Sequence, residues 1–375
     1  MIIDLPSTTT QAISKKLVRL RQDVGSMALS RVLTLVVIAD EADIDDAVEI
    51  ANDASHQHPC RIVAVASGNT RGKARLDAQI RLGGDAGASE VVVLRLYGPL
   101  VAHARSVVIP LLLPDSPVVA WWPKDPPKSP AHDPVGAMAQ RRITDVARLE
   151  SIGPALKTLA RSYSPGDTDL AWSRVTLWRG LLASALDRPP FEPVTSATVT
   201  GAGDSPSTDL LAGWLQHRLR CPVSVVRSRD RSGIISVRLE RRSGIIDLVR
   251  PQDGETATMD QTGQPQRAIA LAHRSDAECL ADEPRRLDAD EVYEDALTKG
   301  LPLVTMRRLT MTEAVAKGEV PSPSSSRKTQ ERLEKQARAT RSSAMVQAEP
   351  EKKSAEPAAV KQAARRKLAD KSEGS

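Results

Sequence analysis

Two uninterrupted runs of aliphatic and β-branched residues constrain this chain more than any other feature: "RVLTLVVIAD" at 31–40 and "CRIVAVAS" at 60–67. Neither alternates apolar with polar residues, so neither suits a strand with one wet face. Both suit strands covered on two sides. Between them, "DIDDAVEIANDAS" has helical apolar spacing and acidic residues in its first turn, where they complement the helix dipole. Strand, helix, strand in that order predicts parallel pairing within a layered α/β sheet.

The rest of the chain extends this pattern. "TTTQAISKKLVRLRQDVG" places Ile13, Leu17, Val18 and Leu20 at helical spacing. "ARLDAQIRLGGDAGASEVVVLRL" alternates, is punctuated by Gly83 and Gly84, and resumes as a strand from Val91, which predicts a hairpin. "GPLVAHARSVVIPLLLP" reads as a buried helix that Pro110 ends or kinks. "SPVVAWW" and "RRITDVA" read as short strands, and together these elements make residues 1–150 an N-terminal α/β domain.

Residues 151–190 read as connecting helices, "SIGPALKTLARSYS" and "DTDLAWSRVTLWRGLLASALD". The second carries a wide apolar stripe of Leu170, Trp172, Val175, Leu177, Trp178, Leu181 and Leu182. After the break "RPPFEP", residues 191–304 read as a C-terminal α/β domain. It contains "VTSATVTG", the helix "STDLLAGWLQHRL", the strand "CPVSVVRS" and a strand pair turned at Ser243 and Gly244, followed by "QRAIALA", "SDAECLA" and "DADEVYEDALTKG". The expected fold is two tandem α/β domains with mixed sheets joined by helices. Residues 305–375 contain no aromatic residue and read as a disordered basic tail.

The net charge of +5 is unevenly placed. Residues 305–375 hold 16 lysines and arginines against 9 acidic residues, leaving 36 against 38 in residues 1–304. The body is near neutral, which argues against a specific nucleic-acid surface there. A nucleic-acid adaptor working through the tail would show salt-sensitive binding lost with residues 305–375. No apolar run reaches the ~20 residues of a membrane span. "MIIDLPSTTT" lacks a signal-peptide core, so a cytoplasmic location is expected. Three cysteines, Cys60, Cys221 and Cys279, do not make a disulfide framework.

Short motifs with chemical meaning are weak. "LGGDAGASE" has neither GxGxxG spacing nor a Walker lysine, and it joins two strand patterns. "HQHPC" clusters His56, His58 and Cys60, but a closed zinc site needs a fourth ligand and no second cluster appears. Asp40, Glu41, Asp43, Asp45 and Asp46 lack the glycine and terminal glutamate of a calcium loop and sit where helix capping explains them. No GxSxG, HExxH or CxxC is present. No catalytic residue, cofactor or metal ligand is assigned.

Aromatic residues are only 2% of the chain, yet Trp121 and Trp122 stand together before Pro123, in "SPVVAWWPKDPPKSP". "AWSRVTLWR" places Trp172 and Trp178 among Arg174 and Arg179. Two readings compete. Tryptophan pairs are ordinary core material, and tryptophan with arginine is also the composition of protein-contact anchors. The seven residues Trp121, Trp122, Pro123, Trp172, Arg174, Trp178 and Arg179 are therefore candidates for binding a partner or supporting the surface that does.

These stretches also carry a family resemblance. "HPCRIVAVASG", "LDAQIRLGGDAGASEVVVLRLYGPL", "LLLPDSPVVAWWP" and above all "YSPGDTDLAWSRVTLWRGLLASALD" resemble the OpcA proteins, with "SATVTGAGDSPSTDLLAGWL" and "ISVRLERRSGIIDLVRP" extending the match over about residues 1–304. The resemblance implies a non-catalytic partner of glucose-6-phosphate dehydrogenase that promotes its active oligomer in the oxidative pentose phosphate pathway. It also raises redox control of that contact, although the three cysteines match no regulatory motif. The competing expectation is an enzyme on a sugar phosphate or nucleotide, with its pocket at the carboxyl edge of the sheet.

Overall fold

The computed structural model describes residues 1–23, 32–82, 90–203, 205–228, 233–250, 255–307 and 311–316. Strand β1 (Ile2–Leu5) precedes helix α1 (Thr10–Asp23). The two apolar runs form β2 (Leu33–Asp40) and β3 (Cys60–Ser67), parallel and in register from Leu33 opposite Cys60 to Asp40 opposite Ser67. Helix α2 (Ile44–Ala54) crosses between them. The hairpin partners are β4 (Arg75–Arg81) and β5 (Glu90–Tyr97), antiparallel with Arg75 opposite Tyr97. The turn expected at Gly83 and Gly84 lies outside the described residues.

The single helix expected over 98–114 is instead three short pieces: a 3₁₀ turn at Gly98–His103, α3 (Ala104–Val108) and a second 3₁₀ turn at Ile109–Leu111. Pro99 and Pro110 each open one of the 3₁₀ turns, where the missing N–H costs nothing. Strands β6 (Val118–Trp122) and β7 (Arg141–Thr144) follow, then α4 (Ile152–Ser162).

The second expected connecting helix is also divided. Its first residues form β8 (Asp167–Asp169), parallel to β7, before α5 (Leu170–Ser173) and α6 (Thr176–Leu186). The Asp169 carboxylate accepts from the Ala171 N–H and so caps α5, which favours a helix start after the aspartate rather than through it. Residues 151–190 thus supply an edge strand as well as helices. The first sheet has eight strands in the order β1-β4-β5-β3-β2-β6-β7-β8.

The second sheet begins with β9 (Ser196–Ala202), α7 (Pro206–Leu219) and β10 (Val223–Ser228), a parallel unit. Antiparallel strands β11 (Ile234–Arg241), β12 (Gly244–Val249), β13 (Thr256–Gln261) and β14 (Arg267–Ala270) extend it on the β9 side. Helices α8 (Asp276–Asp282) and α9 (Glu291–Glu294) and a π-helical turn at Asp295–Gly300 come next. Gly213 of α7 and Gly300 meet back to back: a Cβ on Gly300 would stand 1.9 Å from the Gly213 carbonyl oxygen, so only glycine permits this contact.

Past Val304, β15 (Thr305–Arg307) pairs in parallel with β10, and α10 (Met311–Ala316) follows. The expected tail boundary at residue 305 therefore moves, because three of its first residues gain sheet hydrogen bonds. Residues 317–375 lie outside the described residues. The seven-stranded order is β14-β13-β12-β11-β9-β10-β15.

Apolar side chains form cores on both faces of the first sheet and a third core between the second sheet and α4, α6 and α7. Helix α8 belongs to the later half of the chain, yet Cys279, Leu280 and Ala281 join the core that covers β2, β3 and α2. The two sheets are therefore interlocked within one unit, residues 1–323.

Candidate functional site

The adjacent tryptophans answer to the alternation of a strand. Val37 of β2 lies opposite Trp121, whose ring enters the core that holds Leu170 and Cys279. Trp122 points the other way, into the core with Val135 and Ala139. Their exposures are 0% and 3%, and Pro123 is buried as well. The Trp121 indole N–H has no hydrogen-bond partner. Neither ring is presented to a partner; both fill the body of the first sheet at a point where it is covered on two faces.

The second group comes together where the two sheets meet. Strand β8 delivers the chain to the carboxyl edge of the first sheet, and α5 and α6 carry it toward the second. The Trp172 Nε1–H donates to the Asp290 carboxylate at 2.8 Å. The Arg179 guanidinium stacks 3.8 Å above the Trp172 ring, and that ring also packs against Tyr293 at 5.8 Å. Burial lowers the Arg179 pKa, with Asp290 and Glu283 opposing the shift. Trp178 is buried beneath the Arg250 guanidinium, 5.3 Å away.

Arg174 is the hub. Its guanidinium donates to both oxygens of Asp145, at 2.8 and 2.7 Å, and to Asp276 at 2.5 Å. Arg148 adds a second contact to Asp276 at 2.5 Å. Burial works against the Arg174 charge, but the hydrogen bonds and charges of Asp145 and Asp276 more than offset it and hold its pKa above the usual arginine value. Beside this cluster, Arg141 donates twice to Glu283, at 3.1 and 2.5 Å, and once to the Asp288 carbonyl. Ser173 donates to the other Glu283 oxygen. Asp145 and Arg141 come from the first sheet, Ser173 and Arg174 from α5 and its end, and Asp276 and Glu283 from α8 and its end.

Asp169 lies under this layer with no solvent exposure. It accepts from the Thr144 hydroxyl at 2.6 Å and from the Val146 and Ala171 N–H groups. Burial, and then the neighbouring Asp145 carboxylate, push its pKa up to about 7. The nearby cavity between Thr144, Tyr163, Thr168 and Tyr293 measures only about 10 Å³, room for no more than a water molecule.

Sequence reasoning singled out four members of this junction: Trp172, Arg174, Trp178 and Arg179. It missed Asp145, Arg141, Asp276, Glu283 and Asp290, which lie up to 142 positions away from their partners. No short-range spacing signals such pairs. Arg141, Arg148 and Arg174 meet carboxylates of the same chain, whereas Arg179 and Arg250 lie against the Trp172 and Trp178 rings. The arrangement locks two halves together. Among the described residues, no three histidine, cysteine or acidic side chains converge to hold a metal ion.

Comparison with known proteins places both halves. Residues 51–161 match the family model described as the glucose-6-phosphate dehydrogenase subunit N-terminal domain, and residues 165–297 match the corresponding C-terminal domain. No curated protein matches the sequence. Among solved structures, the glucose-6-phosphate 1-dehydrogenase of Mycobacterium avium is similar at 11% identity and TM-score 0.37, covering 75% of this chain and 94% of that one. An NAD binding oxidoreductase from Klebsiella pneumoniae is similar at 9% identity and TM-score 0.36, covering 73% and 96%. Both likenesses are slight. The two family matches adjoin at the entry to β8 and together span both sheets, and the chain belongs to the OpcA family of glucose-6-phosphate dehydrogenase assembly proteins.

Proposed function

We infer that this protein is a non-catalytic partner of glucose-6-phosphate dehydrogenase, which it binds and brings to its active oligomer in the oxidative pentose phosphate pathway. The observation that carries this reading is the pair of family matches, one on each half of the folded chain. A partner of this kind acts by binding the active arrangement of the enzyme more tightly than the inactive one, and each tenfold preference shifts that equilibrium by about 1.4 kcal/mol. Its place of action is the cytoplasm, where a soluble dehydrogenase works. No helix among the described residues is long and apolar enough to cross a membrane.

The candidate residues act in this reading as supports. Trp121, Trp122, Pro123, Trp172 and Trp178 are buried, so they hold the shape of the surface above them. Arg174 ties that surface to Asp145 after β7 and to Asp276 of α8, and Arg179 reaches it half-buried. On the same stretch Leu177 is 43% exposed, and Phe191, the only phenylalanine in the chain, is 77% exposed. Those two side chains are the accessible apolar contacts.

The test is a titration of the protein into purified glucose-6-phosphate dehydrogenase, with initial rate and light-scattering mass read together. A saturable rate change with a rise in mass is expected. Leu177→Glu with Phe191→Asp should weaken the complex about tenfold or more while leaving the far-UV spectrum unchanged. No complex and no rate change across salt and redox conditions would overturn the assignment.

A further inference from the structure

On the β1–β4–β5 side of the first sheet the chain leaves an open cleft of about 650 Å³. Its lining includes Ser7, Thr8, Asn69, Lys73, Arg75 and Tyr97. It sits where parallel strands β3 and β5 end, outside their carboxyl termini. The volume is that of a site for a small metabolite.

The walls are fixed by main-chain bonds. The Gly98 N–H donates to the Asn69 carbonyl at 2.9 Å, and the Arg71 N–H donates to the Asn69 side-chain oxygen at 2.9 Å. Thr8 N–H donates to the Leu76 carbonyl, and Ser7 N–H donates to Asp77, both at 2.8 Å. Gly98 stands at φ +62°, where an added Cβ would lie 2.4 Å from the Gly72 carbonyl oxygen, so the loop closes only over glycine.

The charges around the cleft do not cancel. Arg75 pairs with Asp77 at 3.1 Å and stacks 4.1 Å over the Tyr97 ring. The Tyr97 hydroxyl donates to Glu41 at 2.5 Å. Among the described residues, the Lys73 ammonium and the Ser7 and Thr8 hydroxyls have no hydrogen-bond partner. One cation and two hydroxyls thus face a preformed cleft with their donors unused. The first turn of α1, which carries no carboxylate, begins two residues past Thr8.

We propose that this cleft binds a phosphate monoester of metabolite size. The phosphate sits on Lys73 with the Ser7 and Thr8 hydroxyls, whose several donors match its acceptor oxygens better than they match a single carboxylate. The hydroxylated carbon skeleton lies toward Asn69 and the wall made by Arg75 and Tyr97. Glu41 and Tyr97 are engaged with each other, so the ligand is held without being turned over. This inference is independent of the assembly role, because the isolated protein reports it.

Calorimetric titration of the full-length protein tests it, with glucose 6-phosphate, glucose and inorganic phosphate as the three probes. Saturable binding of the ester is expected, tighter than that of either fragment. Lys73→Glu should weaken it about tenfold or more, the loss expected for a hydrogen bond to a charged group, and Lys73→Arg should restore most of it. Lys73 is exposed, so neither substitution threatens the fold. The proposal fails if the ester does not saturate at millimolar concentration, if inorganic phosphate or glucose binds as tightly as the ester, or if Lys73→Glu leaves binding unchanged.

Discussion

Asp169 holds the end of β8 from inside the protein, and its proton makes stability depend on pH. In the unfolded chain this carboxyl ionises near 3.8, whereas burial and Asp145 keep it protonated to about 7 in the fold. The folded state therefore binds more protons across that interval, and raising the pH favours unfolding until both states are ionised. Stability should fall from about pH 4 to about pH 7 by about 4 kcal/mol from this group, then level off. Urea midpoints measured across that range test it: Asp169→Asn lowers the overall stability, because in either orientation its amide nitrogen faces an N–H donor, that of Ala171 or that of Val146, but it should remove this part of the slope. A slope unchanged in the variant would reassign the proton. At this scale the sequence singled out Trp172, Arg174, Trp178 and Arg179, which the fold brings to one junction, and Trp121 and Trp122, which it buries on opposite faces of a sheet. The proximity of Trp172, Arg174, Trp178 and Arg179 was legible in "AWSRVTLWR", but not which ring each guanidinium meets, and core and contact readings of Trp121 and Trp122 stayed open because alternation buries both only when each face of the sheet is covered.

Helix α8 shows what happens one level up. Its seven residues are too few to be stable alone, so it depends on its cap and its docking. Ser275 accepts from the Glu278 N–H at 3.2 Å, and the Glu278 carboxylate accepts from the Ser275 N–H at 2.7 Å, a reciprocal capping box. Ser275→Ala should cost about 1 kcal/mol, read as a lower chemical-denaturation midpoint with the slope unchanged. A loss well below that would mean that docking on α2 alone holds the helix. Elements with their own strong pattern, such as β2, α2, β3 and α7, were legible before the structure. Strands β1, β8 and β15 have four, three and three residues, and they are strands because a longer neighbour offers them an edge. β13, "TATMDQ", ends in polar residues and draws its identity from β12 and β14 in the same way.

Across the whole molecule, the boundary between the two family matches is not a boundary between two bodies. The C-terminal match contributes β8 to the first sheet and α8 to its core, and Arg174 clasps Asp145 from one half and Asp276 from the other. The two halves should therefore unfold together, so near-UV and far-UV signals should give coincident denaturation curves; separate transitions would show that the clasp contributes little. The cysteines offer a finer view. Cys60 and Cys279 are buried in the core that α8 closes, and Cys221 is buried in the core of the second sheet. Burial pushes the Cys279 thiol up to about 11, so it is unreactive while docked. A slow alkylating agent added to the intact protein thus becomes a clock with two hands. Equal ageing of all three thiols marks openings that take the entire molecule apart, and earlier loss of Cys60 and Cys279 marks the brief departures of a single helix.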